Sequence, residues 1–430
     1  MKRTSLIFEV KDIAAFRKKA LLFSQQFREV VHLNSNDHHQ KYSSIDELLA
    51  FDAFTSLQTD AQNSFAELEA YQHNSKDWLF GFFTYDVKNA VEPKLTSTRY
   101  DGLEFPDLYF FQPKKILFFK DNQIEFSYLP LCEDEIESDF EEINDTVLYE
   151  HTKPLSLDIE ARITKADYIA KVNKMKEFIY KGDIYEANFC MEFFAEEAFI
   201  DPLDVYQKLN AISRPPFATF FKMNKHFVMS ASPERYLKKK GNTVVSQPIK
   251  GTAKRGKDVE EDTILKSQLE FSEKERSENI MIVDLVRNDL SKTASRGTVK
   301  VEELCRIYTF DQVHQMISTV VSEVDPTVNA VEVIKTTFPM GSMTGAPKFS
   351  AMQIIESLEE TKRGLYSGAI GYFSPDSDFD FNVVIRSILY NQATRYVSFS
   401  VGSAITAKAD PVAEYQECLL KAKAMQQVLR

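Results

Sequence analysis

The sequence predicts an α+β protein with largely antiparallel sheets, and three observations lead to this class. Extended runs are separated by single helical segments without the regular βαβ spacing of a parallel sheet or a GxGxxG loop. Residues 234–237 and 243–249 flank a Lys-Lys-Lys-Gly-Asn turn, which is typical of a β-hairpin. The 43% hydrophobic and 12% aromatic content is sufficient for a full core.

The individual elements follow from apolar spacing and capping residues. Thr164 and Asp167 form a capping box, apolar residues then recur at helical spacing, and Gly182 ends that helix. Further helices are predicted over 258–270, 273–290, 347–359 and 411–429. Strands are predicted over 313–324, 382–389 and 396–405.

The 430 residues allow two or three domains, or one large interwoven domain. We predict an N-terminal α+β region over 1–150 and a second region over 151–430. The boundary follows a dense acidic block over 132–146 and precedes Lys153-Pro154. This block is predicted to be a linker or surface segment, and a solvated helix face is an equally good alternative.

Charge and cysteine usage exclude several classes of protein. The chain has 52 basic and 64 acidic residues, a net charge of −12, which argues against nucleic-acid or acidic-membrane binding. No run approaches the ~18 apolar residues of a membrane helix, and acidic residues interrupt the N-terminus, so no signal peptide is expected. Four widely separated cysteines indicate reduced thiols without a disulfide framework or a zinc cluster. We therefore expect a cytoplasmic protein.

Two glutamates lie where a helix should be apolar. With Ser272 as the helix start, Glu275 and Glu278 fall inside the apolar stripe of the following turns. Burying an unpaired carboxylate costs several kcal/mol, so these acids must be neutralised, protonated or metal-bound. The alternative is that the helix begins later and the acids face water.

A second pair, Glu414 and Glu417, has the same spacing near the start of the last helix, where Asp410 is the expected N-cap. This pair lies only at the border of the apolar stripe, and alone it would indicate an ordinary solvated face. Together, the two pairs could supply oxygen ligands for one Mg²⁺ ion. Such an ion binds and orients an anionic substrate.

Several longer motifs occur in a fixed order along the chain. They are Ser-Pro-Glu-Arg (232–235), Gln-Pro-Ile-Lys-Gly-Thr (247–252), the helical segment 278–289, His314, Gly-Ser-Met-Thr-Gly-Ala-Pro-Lys (341–348), Tyr-Ser-Gly-Ala-Ile-Gly-Tyr (366–372), Arg386 and Ala-Glu-Tyr-Gln-Glu (413–417). Together they resemble the chorismate-binding enzyme family: anthranilate, aminodeoxychorismate, isochorismate and salicylate synthases. The resemblance covers about residues 160–428. The N-terminal third resembles the family only through Gly-Phe-Phe-Thr-Tyr-Asp (81–86).

The resemblance implies an interwoven α/β sandwich of two largely antiparallel sheets flanked by helices, with 151–430 as the chorismate-binding catalytic domain. It implies that Glu278 and Glu417 bind Mg²⁺, and that Glu275 and Glu414 support the ion through waters. The metal would hold the ring carboxylate of chorismate.

The resemblance also assigns residues to substrate binding: Gly251, Thr252, Tyr366, Arg386, Gly402 and Ser403. Tyr366 and Arg386 resemble the residues that receive the enolpyruvyl carboxylate, and an arginine fork suits a planar carboxylate. A structural ion pair is the alternative for Arg386. Gly402 and Ser403 stand where the family has a glycine-richer loop that binds carboxylate through backbone N–H groups.

Three residues are assigned to the chemistry. Lys250 resembles the lysine of aminodeoxychorismate synthases, where anthranilate synthases have alanine. A desolvated lysine beside a cation can have a lowered pKa, which frees its amine as a nucleophile. This amine could attack C2 of the ring while the C4 hydroxyl leaves. Ammonia would then add at C4 and expel the lysine. Glu234 resembles the general acid, which needs a pKa raised by burial. His314 resembles an active-site histidine. The alternatives are a solvated side chain for Lys250, a surface acid for Glu234 and a structural role for His314.

Glu186 departs from the family pattern. Isochorismate and salicylate synthases have a water-activating lysine at this position, whereas aminating members usually have glutamine. The absence of lysine counts against isochorismate and salicylate synthesis. The role of Glu186 stays open between handling ammonia or ammonium and serving as a polar strand residue.

The source of ammonia is predicted to lie outside this chain. None of the four cysteines sits in a glycine-flanked nucleophile turn, so a fused glutaminase is not expected. The resemblance implies a separate glutamine amidotransferase subunit or free ammonia, and Lys250 favours amination of chorismate at C4. Anthranilate synthesis and a non-catalytic regulatory scaffold are the alternatives. No tryptophan-binding motif is identified, so feedback by tryptophan is not predicted.

Overall fold

The structure, a computed structural model, describes residues 2–38, 41–43, 45–148, 156–311 and 313–430. Its helices are α1 (Ile13–Ser24), α2 (Ser64–Ser75), α3 (Lys88–Val91), α4 (Ile136–Asp145), α5 (Lys165–Lys181), α6 (Pro202–Ser213), α7 (Val259–Glu270), α8 (Glu273–Ser291), α9 (Ala330–Thr337), α10 (Lys348–Leu358) and α11 (Pro411–Val428). Its strands are β1 (Thr4–Glu9), β2 (Glu29–Asn34), β3 (Glu47–Thr59), β4 (Leu79–Phe83), β5 (Leu108–Lys120), β6 (Gln123–Tyr128), β7 (Glu160–Ala161), β8 (Glu186–Ala195), β9 (Phe217–Met223), β10 (His226–Ser232), β11 (Arg235–Lys240), β12 (Thr243–Ser246), β13 (Ile249–Lys254), β14 (Lys300–Thr309), β15 (Val313–Glu323), β16 (Gly345–Ala346), β17 (Ala369–Phe373), β18 (Phe379–Val383), β19 (Ser387–Asn391) and β20 (Tyr396–Thr406).

These strands form one hydrogen-bonded network with antiparallel neighbours. One arm runs from β8 through β20, β19, β10, β9, β2 and β3 to β5. The first half of β5 also pairs with β4, from which the second arm continues through β17, β18, β11 and β12 to β15, flanked by β13 and β14. The second half of β5 pairs with β6, and β6 pairs with β1. The predicted α+β class with antiparallel sheets is confirmed.

Strands from the N-terminal third belong to both arms. β2 pairs with β9, and β4 pairs with β17, so the two predicted regions share one hydrogen-bonded framework. The proposed boundary at residue 150, with Lys153 and Pro154, lies outside the described residues and stays a prediction.

The acidic block before that boundary is mostly helical. It forms a short turn at Pro130–Glu135 and then α4, in which Ile136 and Ile143 are buried. Phe140 of α4 stacks on Phe8 with 4.1 Å between ring centroids. The helical alternative is therefore the correct one, because apolar residues repeat inside the acidic block at the spacing of a helix face.

Most predicted elements around the later motifs are confirmed. The Thr164 side chain accepts a hydrogen bond from the Asp167 N–H, and Gly182 ends α5 with a φ of 84°. The hairpin of β11 and β12 turns at Gly241, whose φ is 58°. The strand predicted over 382–389 is wrong, because β18 ends at Val383 and the chain passes through a left-handed residue before β19 begins.

Alternate residues of the central strands face two apolar cores. In β9, Phe220 packs into one core and Phe221 into the other; in β3, Leu49 and Leu48 are divided in the same way. Both faces of these strands are therefore buried, which explains their nearly continuous apolar sequence. Within the described ranges, no helix has the length and apolar character to span a bilayer.

Candidate active site

Lys250 lies on β13, and its side chain reaches Glu186 at the start of β8. Its Nζ donates a hydrogen bond to Glu186 Oε1 over 3.1 Å. The Lys250 side chain is 12% exposed and the Glu186 side chain 2% exposed, so the alternative of a solvated lysine does not hold. Glu186 begins β8, where its backbone pairs with Ala346 on one side and Thr406 on the other.

The charge state of Lys250 differs from the expectation. Burial lowers the pKa of Lys250, but the carboxylates of Glu186, Glu278 and Glu234 together raise this pKa above its usual 10.5. The predicted lowering of the lysine pKa is therefore wrong for the protein by itself. Three acids surround the amine, so its charged form is stabilised.

Glu234 lies between β10 and β11 and is buried. Burial raises the pKa of Glu234 to about 7, and a hydrogen bond with Ser342, the charge of Lys250 and a backbone hydrogen bond from Ile249 limit the rise. Part of this carboxyl group is therefore protonated at neutral pH. The predicted elevation of the Glu234 pKa is confirmed, and the surface alternative is not.

The first glutamate pair faces inward from α8. The Ser272 side chain caps the helix by accepting a hydrogen bond from the Glu275 N–H, as predicted. Glu278 is buried, burial raises its pKa to about 7, and its Oε1 has no hydrogen-bond partner within the described part of the chain. Glu275 faces β13: a Cβ added to Gly251 would lie 3.0 Å from Glu275 Oε2.

The second pair, on α11, is less uniform than the first. Glu414 is buried, whereas the Glu417 side chain is 45% exposed and bonds Lys421 over 2.6 Å. Burial, and then the charge of Glu417, raise the pKa of Glu414. Burial raises the pKa of Glu275, and the charge of Glu417 raises it further, so the two pairs lie within electrostatic range of each other.

The chemistry of the four glutamates decides whether they could hold a divalent cation. Among the described residues, no three acidic, histidine or cysteine side chains already converge as a metal site. However, the four carboxylates offer only hard oxygen donors, and Glu278 Oε1 is a buried acceptor without a partner. Lys274 Nζ lies 3.5 Å from Glu414 Oε1 and supplies positive charge to the cluster. These residues fit Mg²⁺ in their chemistry.

Arg386 occupies the break between β18 and β19 with a φ of 51°. Burial lowers the pKa of Arg386. The nearby Tyr366 and Glu417 raise this pKa and offset part of the decrease. Tyr366 is itself buried and accepts a hydrogen bond from the Cys190 thiol at 3.8 Å. In the described part of the chain, Arg386 forms no ion pair, so the structural ion-pair alternative is not supported. A half-buried guanidinium without an ion-pair partner among the described residues favours an anionic ligand.

Gly402 and Ser403 lie in strand β20 instead of a loop. A Cβ at Gly402 would lie 2.6 Å from Cys190 Sγ, so this position requires glycine. The Ser403 hydroxyl is hydrogen-bonded to Tyr168 at 3.0 Å. Thr252 is exposed on β13. The structure therefore brings Gly402 close to Tyr366 through Cys190, but it does not direct Thr252 into the same site.

His314 is not brought together with Lys250. It is fully buried in β15, with Nε2 3.0 Å from Asp262 Oδ1 and Nδ1 3.0 Å from Thr309 Oγ1. Asp262 also pairs with Arg255. Both ring nitrogens thus have structural partners, which matches the structural alternative. A catalytic role for His314 stays a prediction.

The family of chorismate binding enzymes matches residues 20–427. The chain belongs to this family. It is 32% identical over 399 residues to the aminodeoxychorismate synthase component 1 of Bacillus subtilis, which covers 89% of this chain and 82% of that protein. It is 35% identical over 353 residues to an anthranilate synthase component I-like protein of Synechocystis, covering 81% and 71% of the two chains.

The fold of this chorismate-binding enzyme is also found in a solved structure. Anthranilate synthase component I from Streptococcus pneumoniae superposes with a TM-score of 0.77 at 26% identity. The superposition covers 90% of this chain and 94% of that one. The predicted sandwich architecture is therefore confirmed.

Sequence reasoning missed three residues of this candidate site: Lys274, Asn279 and Ser342. Asn279 Nδ2 donates to the Lys250 carbonyl at 3.4 Å and to the Met316 carbonyl at 3.3 Å, and so fixes α8 against β13 and β15. An amide side chain inside an apolar helix stripe was the available signal for Asn279. Nothing local signalled that Ser342 would meet Glu234, which is distant in sequence.

Proposed function

We propose that this protein aminates chorismate at C4 as the first component of an aminodeoxychorismate synthase. The product is 4-amino-4-deoxychorismate, the precursor of p-aminobenzoate and folate. The observation that carries this proposal is the buried Lys250 amine, held by Glu186 beside a glutamic acid that is partly protonated at neutral pH. A nucleophilic amine is needed for C4 amination through a covalent intermediate. The relationship to the Bacillus subtilis enzyme supports the same function.

In the proposed reaction, the Lys250 nitrogen attacks C2 of the ring and the C4–O bond breaks. Glu234 gives its proton to the departing hydroxyl, which leaves as water. Ammonia then forms a bond to C4, and the bond between C2 and the lysine nitrogen breaks. The enolpyruvyl group remains on the product. Arg386 and Tyr366 are proposed to hold its carboxylate, with Gly402 allowing the close packing beside them.

We propose that Glu278 and Glu417 hold Mg²⁺, with Glu275 and Glu414 supporting it. When bound, this cation supplies positive charge that orients the ring carboxylate of chorismate. The chain contributes the carboxylates and keeps them on two facing helices. Gly251 lets β13 approach this cluster, because a side chain at that position would meet Glu275.

Replacing Glu278 with Gln should abolish stabilisation by Mg²⁺. Saturating a site raises the free energy of unfolding by about 2.7 kcal/mol at 100 times Kd, which for a chain of this length corresponds to a melting-temperature rise of about 3 °C. We expect this rise in the unmodified protein and in Glu273→Gln, which changes an exposed acid of the same helix. A Glu278→Gln protein with an undiminished Mg²⁺ response would contradict the assignment.

Replacing Arg386 with Ala should raise the KM for chorismate. A hydrogen bond to a charged group contributes about 1.5–3 kcal/mol, so the expected increase is roughly 10- to 100-fold. Arg395→Ala is a matched control, because Arg395 also has a positive φ but is half-exposed and pairs with Glu197. Steady-state kinetics should separate the two variants, and equal KM values would remove Arg386 from the site.

Product identity tests the proposed function. The protein is incubated with chorismate, Mg²⁺ and ammonium, and the products are identified by mass spectrometry. We expect 4-amino-4-deoxychorismate, which yields p-aminobenzoate only after a lyase is added. Anthranilate formed without a lyase would instead show amination at C2 with loss of pyruvate. No consumption of chorismate would favour the regulatory scaffold.

We also propose a separate glutamine amidotransferase subunit as the source of ammonia. The designation "component 1" of the Bacillus subtilis relative supports a multi-component enzyme. The cysteines Cys132, Cys190, Cys305 and Cys418 are free and buried, which fits a reducing compartment such as the cytoplasm.

A further inference from the structure

The Glu186 carboxylate is arranged in an unusual way for a purely structural ion pair. Its Oε1 accepts the hydrogen bond from Lys250 Nζ, while its Oε2 is buried without a hydrogen-bond partner among the described residues. A buried ion pair adds little net stability, and an unsatisfied buried oxygen costs free energy. The Lys250 proton can therefore pass to Oε1 along this hydrogen bond, while Oε2 keeps its acceptor capacity.

The backbone fixes this carboxylate in place. Glu186 is clamped between β16 and β20, and a Cβ at Gly345 would lie 2.2 Å from the Glu186 carbonyl oxygen. The neighbouring strand can approach so closely only because residue 345 is glycine. On the other side, Asn279 ties the Lys250 carbonyl to α8. Both members of the pair are thus positioned before any substrate binds.

We propose that Glu186 is the catalytic base that takes the proton from the Lys250 ammonium group and frees the amine for attack on the ring. This inference rests on the proposed function.

The other acids around the amine are less suited to this role. Glu234, between β10 and β11, must carry a proton to the C4 hydroxyl and is hydrogen-bonded to Ser342. The Lys250 charge also interacts electrostatically with Glu275 and Glu278 of α8 and with Glu417 of α11. These three glutamates, however, belong to the proposed cation site. Among the described carboxylates, that of Glu186 is the one hydrogen-bonded to Nζ.

The proton balance of the cycle closes with these residues. The Lys250 ammonium group gives one proton to Glu186, and the neutral amine forms the N–C2 bond as the C4–O bond breaks. Glu234 gives its proton to the leaving oxygen, producing water. Ammonia bonds to C4 and the N–C2 bond breaks, so the lysine nitrogen leaves with its electron pair. The new C4 ammonium group returns a proton to Glu234, and Glu186 returns its proton to Lys250.

The test compares Glu186→Gln with Glu186→Asp in the full-length protein with chorismate, Mg²⁺ and ammonium. For Glu186→Gln we expect kcat/KM at pH 7.5 to fall about 10²-fold, and the ratio of its kcat/KM to that of the unmodified protein then to rise with pH, because solvent must now deprotonate the amine. The rise should follow the ionisation of Lys250, measured separately by pH-dependent acetylation with the exposed Lys257 as internal standard. Glu186→Asp retains a carboxylate and should recover part of the rate.

Two outcomes would overturn the proposal. One is an unchanged kcat/KM in Glu186→Gln at pH 7.5. The other is a loss by the same factor at every pH, which would indicate a structural role alone. Failure of the proposed function is distinguishable, because the unmodified protein would then form no 4-amino-4-deoxychorismate at any pH.

Discussion

Replacing Lys250 with Ala is expected to reduce the formation of 4-amino-4-deoxychorismate by about 10⁴-fold or more, because removal of a covalent nucleophile removes the main reaction path. The variant keeps Arg386, Tyr366 and the proposed cation ligands, so chorismate should still bind. Product formation is measured by mass spectrometry with ammonium as the nitrogen source.

Lys254→Ala is the matched control for this variant. Lys254 lies on the same strand, β13, but its side chain is 70% exposed and pairs only loosely with Glu261 at 3.7 Å. We expect its turnover to equal that of the unmodified protein. If Lys250→Ala also kept normal turnover, the covalent mechanism would be incorrect.

The second large effect concerns Glu234. Burial raises the pKa of Glu234 to about 7, and the reaction needs its protonated form. The fraction of protonated Glu234 falls as pH rises through this pKa. We therefore expect kcat/KM to be constant on the acid side of this ionisation and to fall about tenfold per pH unit well above it.

Glu234→Gln should lower kcat/KM by about 10²- to 10⁴-fold and abolish the decline above pH 7, since Gln cannot supply the proton. Glu323→Gln, which changes an exposed acid of β15, should retain the pH profile of the unmodified protein. A Glu234→Gln enzyme with the original alkaline decline would assign that ionisation to another group.

The helix-borne part of the site could be predicted from the sequence. The Ser272 cap fixes the phase of α8, and this phase turns Glu278 toward the apolar side of the helix. The same reasoning placed Glu414 and Glu417 only at the border of α11, and the structure divides them: Glu414 is buried and Glu417 is half-exposed. Local periodicity was informative here because the cap and the direction in which each glutamate faces are both set within one or two turns of the helix.

Contacts between distant segments could not be predicted in this way. Glu186 and Lys250 are 64 residues apart, and they meet where β8 of one arm of the sheet network approaches β13 of the other. The pKa of Lys250 therefore moves upward, whereas desolvation alone predicts a fall. Arg386 was assigned to a strand because its neighbours are apolar, but its φ of 51° ends the extended conformation.

The most direct measurement is a crystal structure of the Glu234→Gln protein with chorismate and Mg²⁺. The account predicts that C2 of the ring lies about 3–3.5 Å from Lys250 Nζ, the separation of a near-attack geometry. It also predicts the ring carboxylate on a cation held between α8 and α11. A ring bound elsewhere, or a Lys250 side chain directed away from the bound ring, would contradict it.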